Sequence, residues 1–361
     1  MDKVRLGIIG CGWCASDLYG PFFPYLENGI PVACMDVDPH QVDKIRHLTG
    51  IKKGYTNLED FLADQEVDAV MVLTPTNLHA DQVERAAQAG KHIYCEKPMA
   101  RTIEEADRMI AACKQHRVKL QVAFMKRFNP SFQWVKQVLD EGRLGDIFEM
   151  RAVWDNGRAA TSAKANYRHR MKSGGGYLQE DGSHPIDICR WYMGEVSHVF
   201  GQTMLVAANR FENDDVDLLV MRHQNGTMSS LHITMLSHRT GMESYEIFGT
   251  KGTLLMEWLF HSTHSIEPAQ IRIFEKSVKT TDISLSTSWN THAELTRNWQ
   301  YLNELRHFCD CVLQDKEPLV NGLDGRAVVE IINAAYVSYL EGRMIQLPLQ
   351  NSPNFEQLFT A

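Results

Sequence analysis

In roughly the first third of the chain, short continuous apolar runs alternate with stretches in which apolar residues recur at helical spacing. The apolar runs predict strands and the helically spaced stretches predict helices. The predicted strands are residues 4–9, 31–36, 67–73, 92–95 and 119–124, and the predicted helices are residues 15–28, 39–49, 58–63, 78–89 and 102–116. Strands that are apolar along their whole length are typical of parallel sheets covered on both faces. The pattern therefore predicts an α/β domain with a parallel sheet.

After about residue 124 the pattern changes to longer runs of alternating or β-branched residues. The predicted strands here are residues 146–154, 196–206, 216–221, 228–235 and 245–248, and the predicted helices are residues 131–141, 184–193, 294–313 and 325–340. Turn dipeptides such as Asn225-Gly226 and Lys251-Gly252 separate some of the strands. Because alternation and tight turns are typical of antiparallel sheets, we predict a second domain of the α+β class, joined closely to the first.

The composition is that of an ordinary globular protein, and it narrows the class of partner. The 361 residues carry a formal net charge of −8, and both signs are interspersed along the chain. A nucleic-acid partner would favour a basic face, so we expect none. The sequence shows neither the pattern of a signal peptide nor the roughly 18 uninterrupted apolar residues of a membrane span. We therefore expect a cytoplasmic protein without a membrane partner.

The eight cysteines fit a reducing compartment, because most of them lie scattered in apolar runs. Two pairs are closely spaced, Cys11 with Cys14 and Cys309 with Cys311. The first pair lies inside a glycine-rich loop, and no second Cys pair or His pair stands at zinc spacing. Three histidines of the second half also lack ligand spacing and are expected in loops: His261, His264 and His292. We predict no metal site.

A glycine motif with the chemistry of phosphate binding follows the first predicted strand. Gly10 permits a tight turn, Gly12 lets the backbone approach a pyrophosphate, and the small Ala15 lets helix and strand pack closely. Asp36, at the end of the second strand, stands at the spacing that ribose recognition requires. A carboxylate there accepts hydrogen bonds from both ribose hydroxyls and repels a 2′-phosphate, so the motif predicts NAD and favours it over NADP. The alternatives are a glycine-rich turn without a ligand and Asp38 as the ribose acid.

Two further motifs follow strands of the same predicted sheet. Thr74-Pro-Thr-Asn-Leu-His79 comes after one strand, and Glu96-Lys97-Pro98 comes after the next. Ligands of open α/β sheets bind at the carboxyl ends of the strands, so the first motif is expected to hold the ribose beside the nicotinamide. It also fits an ordinary helix start, and both interpretations can hold together. The second motif places an ammonium group where it can bond a reacting hydroxyl and help it lose its proton, although such a tripeptide alone is more often surface charge.

Taken together, the motifs resemble the Gfo/Idh/MocA oxidoreductase family in order and spacing over nearly the whole chain. The resemblance also rests on Met125-Lys-Arg127-Phe128, on Gly174-Gly-Gly176 followed by Glu180 through His184, on Tyr245-Glu-Ile-Phe-Gly-Thr-Lys-Gly252, and on the tail from Gly325-Arg-Ala through Glu341-Gly-Arg343 to Leu347-Pro348. It implies an α/β Rossmann domain over residues 1–123, followed by an α+β substrate and oligomerisation domain with an open, mostly antiparallel sheet over residues 124–361. It also implies a homodimer or homotetramer formed through that sheet.

The resemblance implies an activity as well. Typical members transfer a hydride between NAD(H) or NADP(H) and a secondary hydroxyl or ketone of a sugar, a sugar derivative or a cyclitol, and some relatives cleave glycosides by transient oxidation. We therefore expect an NAD-dependent sugar or polyol dehydrogenase. Two alternatives stay open: an NAD-dependent glycoside hydrolase acting by oxidation and elimination, and a non-catalytic NAD-binding regulator. The joint presence of Lys97 and His184 speaks against the regulator.

Carried over residue by residue, the resemblance makes Lys97 the catalytic lysine, His184 the general acid/base and Arg127 a substrate contact. Imidazoles titrate near neutral pH, so His184 is suited to take the hydroxyl proton. The family frequently has Asp four residues before the histidine, where this chain has Glu180. Glu180 either orients the substrate hydroxyls and the Lys97–His184 pair or has a structural role. The residues expected to bind the cofactor are Gly10, Cys11, Gly12, Trp13, Cys14, Asp36, Thr74, Pro75, Thr76, Asn77, His79, Glu96 and Lys97, and those expected to contact the substrate are Lys97, Arg127, Glu180 and His184.

Four other residues fall where loops of the family often contact the substrate: Trp154, Asp155, Tyr167 and Arg168. Aromatic faces stack on sugar rings and arginine pairs with acidic groups, but single residues of these types are more often found on the surface or in the core. His184 itself also fits a plain helix start, in the tripeptide Ser183-His184-Pro185.

Overall fold

The computed structural model describes residues 2–155, 170, 172–173, 175–209, 211–238, 241–262, 265–266, 270–275, 280–284 and 299–359. The chain divides into two compact units. Unit 1 consists of Met1–Phe128 and Asn298–Ala327, and unit 2 of Asn129–Arg297 and Val328–Ala361. These units are not the two consecutive segments predicted from the sequence, because a late segment of the chain returns to the first unit.

The described helices and strands are listed here by their bounds. The helices are α1 (Pro39–Thr49), α2 (Leu58–Leu62), α3 (His79–Gln88), α4 (Ile103–His116), α5 (Pro130–Asp140), α6 (Tyr177–Glu180), α7 (Ser183–Met193), α8 (Trp299–Leu313) and α9 (Gly322–Glu341). The strands are β1 (Val4–Ile9), β2 (Gly29–Met35), β3 (Lys53–Tyr55), β4 (Ala69–Val72), β5 (His92–Cys95), β6 (Leu120–Val122), β7 (Ile147–Asp155), β8 (Val196–Met204), β9 (Val216–His223), β10 (Met228–Thr234), β11 (Gly241–Gly249), β12 (Gly252–Ser262), β13 (Ser265–Ile266), β14 (Gln270–Glu275), β15 (Thr280–Ser284) and β16 (Ile345–Gln346). Among the described helices, none combines the length and hydropathy that crossing a membrane requires.

Unit 1 is built on a sheet with strand order β3-β2-β1-β4-β5-β6, in which neighbouring strands are parallel. The central strands β1 and β4 are buried at nearly every residue. This confirms the predicted Rossmann sheet, whose strands are apolar because helices cover both faces. From β1 the chain adds strands toward one edge of the sheet, β2 and then β3, and from β4 it adds strands toward the other edge. Ligands of such sheets bind outside the carboxyl ends of the strands at the point where this order reverses, between β1 and β4.

Local capping signals set the limits of two helices of unit 1. The Asp38 side chain accepts a hydrogen bond from the backbone N–H of His40 at the start of α1, and Gly50, with φ of 77°, ends that helix. Thr102 and Glu105 form a capping box at the start of α4. The predicted limits of these helices are therefore confirmed to within one residue.

The predicted helix over residues 15–28 is wrong as a regular α-helix. Cys14–Tyr19 forms a π-helical turn, and Gly20–Tyr25 continues as a 3₁₀ helix. Pro21 and Pro24 lack the backbone N–H that an α-helix needs at these positions, so the regular hydrogen-bond pattern cannot continue through them. The irregular segment turns the Tyr19 side chain into the interior, where it is fully buried.

The segment that returns to unit 1 is held by apolar packing and by the sheet. Leu302, Leu305 and Phe308 of α8 are fully buried. The backbone N–H of Val122, in β6, donates to the Val320 carbonyl at 3.1 Å. Helical spacing alone does not show which sheet a helix covers, so this return was not predicted. The long helix α9 then begins in unit 1 and ends in unit 2.

Unit 2 is built on a mixed sheet with strand order β15-β14-β12-β11-β7-β10-β9-β8-β16, and β13 pairs with β12. Strands β7 and β10 are parallel, and the other described neighbours are antiparallel. The predicted mostly antiparallel sheet is thus confirmed, although the strands after β11 were not predicted. One consequence is that His261 lies in β12 and not in a loop, because the apolar alternation from Leu254 onward continues the strand. His264 and His292 lie outside the described residues.

The two faces of this sheet differ. Helix α7 packs on β7 and β10, and α5 packs on α7. Burial alternates along β9 and β10: Leu219 and Leu231 are fully buried, whereas Leu218 and Met228 on the opposite face are 37% and 52% exposed. One face of the sheet therefore forms a core with the helices, and the opposite face carries exposed apolar side chains.

Candidate active site

The glycine loop follows β1 and has open space beside it. Gly10 has φ of 95°, and its backbone N–H donates to the Met35 carbonyl at 2.9 Å. A Cβ atom on Gly10 would stand 2.8 Å from Thr74 Cγ2 and 3.0 Å from the Leu73 backbone, so a larger residue does not fit. A Cβ atom on Gly12 would meet no atom within 4 Å. Backbone that borders open space at a strand end is what close approach of a pyrophosphate requires.

The Asp36 carboxylate is fixed beside this loop. Its Oδ2 accepts the backbone N–H of Cys11 at 2.8 Å, and its Oδ1 accepts the backbone N–H of Asp38 at 3.0 Å. A carboxylate oxygen has room for two hydrogen bonds, so both oxygens can still accept a ribose hydroxyl. Together with the open side of Gly12, this placement fits NAD.

The Cys11 thiol is a core group, although its backbone belongs to the loop. The side chain is fully buried, and Sγ lies 3.5 Å from the Met35 carbonyl. A hydrogen bond with the Cys34 thiol and burial both raise the pKa of Cys11, which keeps it an unreactive thiol. Trp13 is 46% exposed and Cys14 is half-buried. The expected cofactor contacts of Trp13 and Cys14 stay predictions.

The loop after β4 is tied to the loop after β5 by His79. The His79 ring is fully buried, with Nε2 2.8 Å from the Thr74 carbonyl and Nδ1 3.1 Å from the Pro98 carbonyl. Thr74 donates its hydroxyl to Gln82 Oε1 at 2.5 Å. The buried His79 ring therefore links the backbones of the two loops. Thr76 is buried, Thr74 and Pro75 are half-buried, and Asn77 is exposed; their expected cofactor contacts stay predictions.

Lys97 is the second residue after β5, and Glu96 holds its backbone. Glu96 Oε2 accepts the backbone N–H of Lys97 at 2.9 Å, and Glu96 Oε1 accepts the Tyr19 hydroxyl at 2.6 Å. The Glu96 side chain is buried, whereas Lys97 is half-buried. Both carboxylate oxygens of Glu96, which was expected to contact the cofactor, thus accept hydrogen bonds from the protein.

The tyrosines behind Glu96 were not found by sequence reasoning. The Tyr19 and Tyr94 hydroxyls lie 2.9 Å apart, and the Tyr94 hydroxyl lies 2.7 Å from Glu304 Oε2. Burial, followed by the nearby Glu96 and Glu304, raises the pKa of both tyrosines well above the usual value. A signal was present for Glu304, because it stands at helical spacing on the face of α8 that carries Tyr301 and Phe308.

Arg127 lies in a short 3₁₀ turn, Met125–Phe128, and is nearly buried. Its Nη2 stands 3.2 Å from Oδ1 of Asp324, a residue of the segment that returns to unit 1. Asp324 thus holds the Arg127 guanidinium in place. The expected contact of Arg127 with the substrate stays a prediction.

In unit 2, Glu180 and His184 lie four residues apart at the junction of two helices. Glu180 ends the short helix α6, and His184 is the second residue of α7. The Ser183 hydroxyl donates to the Glu180 carbonyl at 2.9 Å, and the His184 backbone N–H donates to the Asp181 carbonyl at 3.2 Å. Both side chains are more than nine-tenths buried. The helix-start position expected for His184 is therefore real and does not conflict with a chemical role.

The His184 ring stacks on Trp154, at the end of β7. The ring centroids are 5.9 Å apart with an interplanar angle of 19°, and Trp154 Nε1 donates to the Tyr177 hydroxyl at 3.1 Å. Trp154, one of the residues considered as further substrate contacts, thus packs against the His184 ring. Asp155, another of them, is the next residue in the chain and is buried. Tyr167 and Arg168 lie outside the described residues.

A carboxylate that sequence reasoning missed holds the start of α6. Asp214 Oδ2 accepts the backbone N–H of Leu178 at 2.7 Å, and Asp214 Oδ1 accepts the Tyr336 hydroxyl at 2.9 Å. A Cβ atom on Gly176 would collide with both Asp214 and Tyr336, so this position needs glycine. Burial raises the pKa of Asp214 and, more strongly, that of neighbouring Asp217.

Comparison with known proteins places this arrangement in a family. Residues 4–124 match the model described as "Oxidoreductase family, NAD-binding Rossmann fold", and residues 132–255 match the "GFO/IDH/MocA C-terminal domain". The chain is 27% identical to the myo-inositol 2-dehydrogenase of Thermotoga maritima over 356 residues, 95% of this chain and 98% of that protein. It is 28% identical to the scyllo-inositol 2-dehydrogenase (NAD(+)) of Bacillus subtilis over 317 residues, 86% of this chain and 87% of that protein.

A solved structure adds a relative with bound ligands. The WlbA dehydrogenase from Bordetella pertussis, in complex with NADH and UDP-GlcNAcA, aligns with a TM-score of 0.80 and 27% identity over 97% of this chain and 99% of that one. The parallel sheet with its glycine loop, the mostly antiparallel second sheet and the matched models lead to one conclusion: the chain belongs to the Gfo/Idh/MocA family of oxidoreductases with an NAD-binding Rossmann fold.

Proposed function

We propose that this protein is an NAD-dependent dehydrogenase or reductase that acts on a secondary hydroxyl or ketone of a sugar, a sugar derivative or a cyclitol. One observation carries the proposal. At the carboxyl edge of the unit 1 sheet, the open side of Gly12, the fixed Asp36 carboxylate and Lys97 follow strands of one parallel sheet. The names of the relatives support the substrate class, because two of them are inositol dehydrogenases.

In this proposal the residues of unit 1 hold the cofactor. The glycine loop would receive the pyrophosphate, Asp36 the ribose hydroxyls of the adenosine, and the loop from Thr74 to Asn77 the second ribose. When bound, the nicotinamide supplies the acceptor or donor of the hydride. Asp36 repels a 2′-phosphate, which favours NAD over NADP.

The acid–base chemistry falls to Lys97 and His184. The Lys97 ammonium binds the reacting hydroxyl and stabilises the negative charge that develops as its proton leaves. The His184 imidazole takes that proton during oxidation and returns it during reduction. Trp154 limits the orientations of the ring by stacking on it. Arg127 and Glu180 bind other polar groups of the substrate.

The proposal is tested by a substrate panel. Purified protein is incubated with NAD and each of a set of free sugars, glycosides, sugar acids and inositols, and NADH is followed by its absorbance. Net NADH formation with a free sugar or cyclitol is expected, with lower rates when NADP replaces NAD. Release of an aglycone without net NADH would establish the glycoside hydrolase instead. NAD binding without turnover of any compound would establish the regulator.

We also propose a homodimer or homotetramer formed through the unit 2 sheet, in a cytoplasmic setting. The face opposite the helices carries Leu218, Met228 and Met204, which are 37%, 52% and 58% exposed. Exposed apolar side chains grouped on one face are typical of protein–protein contacts. All eight cysteines are free thiols, as in a reducing compartment.

A further inference from the structure

Behind Lys97, four buried oxygens form a chain of three close contacts. Glu96 Oε1 lies 2.6 Å from the Tyr19 hydroxyl, that hydroxyl lies 2.9 Å from the Tyr94 hydroxyl, and the latter lies 2.7 Å from Glu304 Oε2. Tyr19, Tyr94 and Glu304 are fully buried, and Glu96 is 7% exposed. All four residues belong to unit 1, where Glu304 comes from the returning segment.

Counting protons shows that two tyrosines cannot complete this chain. Each of the three contacts needs one proton, and each tyrosine has one hydroxyl proton to give. If both carboxyl groups were ionised, one of the three close contacts would join two lone pairs. Such a contact is costly in a buried, low-dielectric environment. The chain is satisfied when one of the two carboxyl groups carries a proton.

The surroundings favour Glu304 as the protonated end. Glu96 also accepts the backbone N–H of Lys97 through its second oxygen, so both of its oxygens accept hydrogen bonds from the protein. Glu304 is the more deeply buried of the two, and burial disfavours a charge. Glu304 then donates to Tyr94, Tyr94 donates to Tyr19, and Tyr19 donates to the Glu96 carboxylate. Every bond of the chain points toward the residue that holds the Lys97 backbone.

We propose that Tyr19, Tyr94 and a protonated Glu304 are positioning residues for Lys97, acting through Glu96. Tyr19 ends the π-helical turn that follows the glycine loop, so the chain also ties the phosphate-binding segment to the strand end that carries Lys97. π-Helical turns are frequent at functional sites. The inference rests on the proposed function in one respect, namely that Lys97 is catalytic.

The first test reads the proton directly. Infrared difference spectra at neutral pH compare the wild-type protein with Glu304→Gln, and with Glu356→Gln as an exposed control. We expect the carbonyl stretch of a protonated carboxylic acid in the difference spectrum for Glu304 and none in the one for Glu356. A Glu304 difference spectrum that shows only carboxylate bands would overturn the proposal. This test needs no turnover, so it decides the proton assignment whether or not the proposed function holds.

The second test reads the effect on Lys97. Tyr19→Phe removes the donor to Glu96, whereas Tyr55→Phe removes an equivalent tyrosine–carboxylate bond, to Asp64 at 2.9 Å, elsewhere in unit 1. We expect kcat, expressed per NAD-binding site, to fall about 10- to 100-fold in Tyr19→Phe, as for loss of one bond to a charged group. KM for the substrate should stay within about 2-fold, since uniform substrate binding is not altered. Tyr55→Phe should keep the wild-type kcat.

The outcomes separate the two proposals. A wild-type protein that turns over a panel substrate together with an unchanged kcat in Tyr19→Phe contradicts the positioning role alone. A wild-type protein that turns over no panel substrate contradicts the proposed function, while the infrared test still decides whether Glu304 carries a proton.

Discussion

Lys97 has a fixed backbone and a half-buried side chain. Glu96 fixes the backbone N–H, and His79 fixes the Pro98 carbonyl on the other side. Substrate can therefore meet an ammonium group whose attachment point does not have to reorganise during the reaction, which is how preorganised charge lowers a barrier.

Replacing this ammonium gives the first prediction. Lys97→Ala should lower kcat by about 10²- to 10⁴-fold, the usual contribution of an acid–base group. NAD binding should persist, because the glycine loop and Asp36 are unchanged. The measurements are steady-state rates on a substrate from the panel and a fluorescence titration with NADH. Lys114→Ala, at an exposed position of α4, is the control and should retain wild-type rates; full activity in Lys97→Ala would contradict the mechanism.

The cofactor preference gives the second prediction, which also decides between two aspartates. Asp36→Ser should raise KM for NAD about 10- to 100-fold, since a hydrogen bond to a charged group contributes about 1.5–3 kcal/mol. The variant should also show a smaller preference for NAD over NADP, because the charge that repels a 2′-phosphate is gone. Asp38→Ser keeps a capping oxygen for α1 and should leave both KM values near wild type. The reverse result would make Asp38 the ribose acid.

At the scale of elements, the short helix α6 depends on a residue from another element. Gly176 has no side chain to cap this helix, and Asp214, just before β9, supplies the carboxylate. Glu180 ends α6, and α7 begins three residues later at Ser183, directly before His184. The placement of both candidate catalytic groups of unit 2 thus follows from a contact that is distant in sequence.

Asp217, in β9, gives a prediction on stability. Burial raises its pKa in the folded protein well above the unfolded value, with neighbouring Asp214 adding to the effect. Below the unfolded-state pKa of about 3.9, the neutral Asp217 side chain makes its full contribution to the stability of the folded protein. This contribution is lost as pH rises through the pKa of the folded state. The free energy of unfolding of Asp217→Asn, relative to that of wild type, should therefore increase with pH.

Urea unfolding of both proteins at about pH 4.5 and about pH 8 checks this prediction on Asp217. Asp140→Asn, at an exposed position of α5, is the control and should show little dependence on pH. A relative stability of Asp217→Asn that decreases as pH rises has the wrong sign and would contradict a neutral, buried Asp217.

Elements with their own boundary signals were predicted well. The limits of α1 and α4 followed from Asp38, Gly50 and the Thr102 capping box. Residues 15–28 failed because their apolar spacing is helical while their prolines do not permit a regular helix. The strands after β11 were missed because their pairing partners, and not their own pattern, define them.

At the scale of the whole molecule, the exposed sheet face of unit 2 gives the last prediction. The double variant Leu218→Glu with Met228→Glu should shift the protein to a smaller species, because charges would have to be buried in the proposed interface. Sedimentation velocity at about micromolar concentration measures the change. Leu340→Glu, at a 40% exposed position of α9, is the control and should keep the wild-type assembly. An unchanged assembly in the double variant would place the interface elsewhere.

By itself the sequence determined the fold class, the cofactor class and the strand ends at which polar groups gather. Those features depend on local periodicity and on turn chemistry, which act over a few residues. Only the tertiary structure decided that residues 298–327 return to unit 1, that Glu304 lies behind Lys97, and that Asp214 caps α6. Each of these is a contact between residues distant in sequence, and burial gives them their importance, because a buried polar group must find a partner wherever the chain brings one.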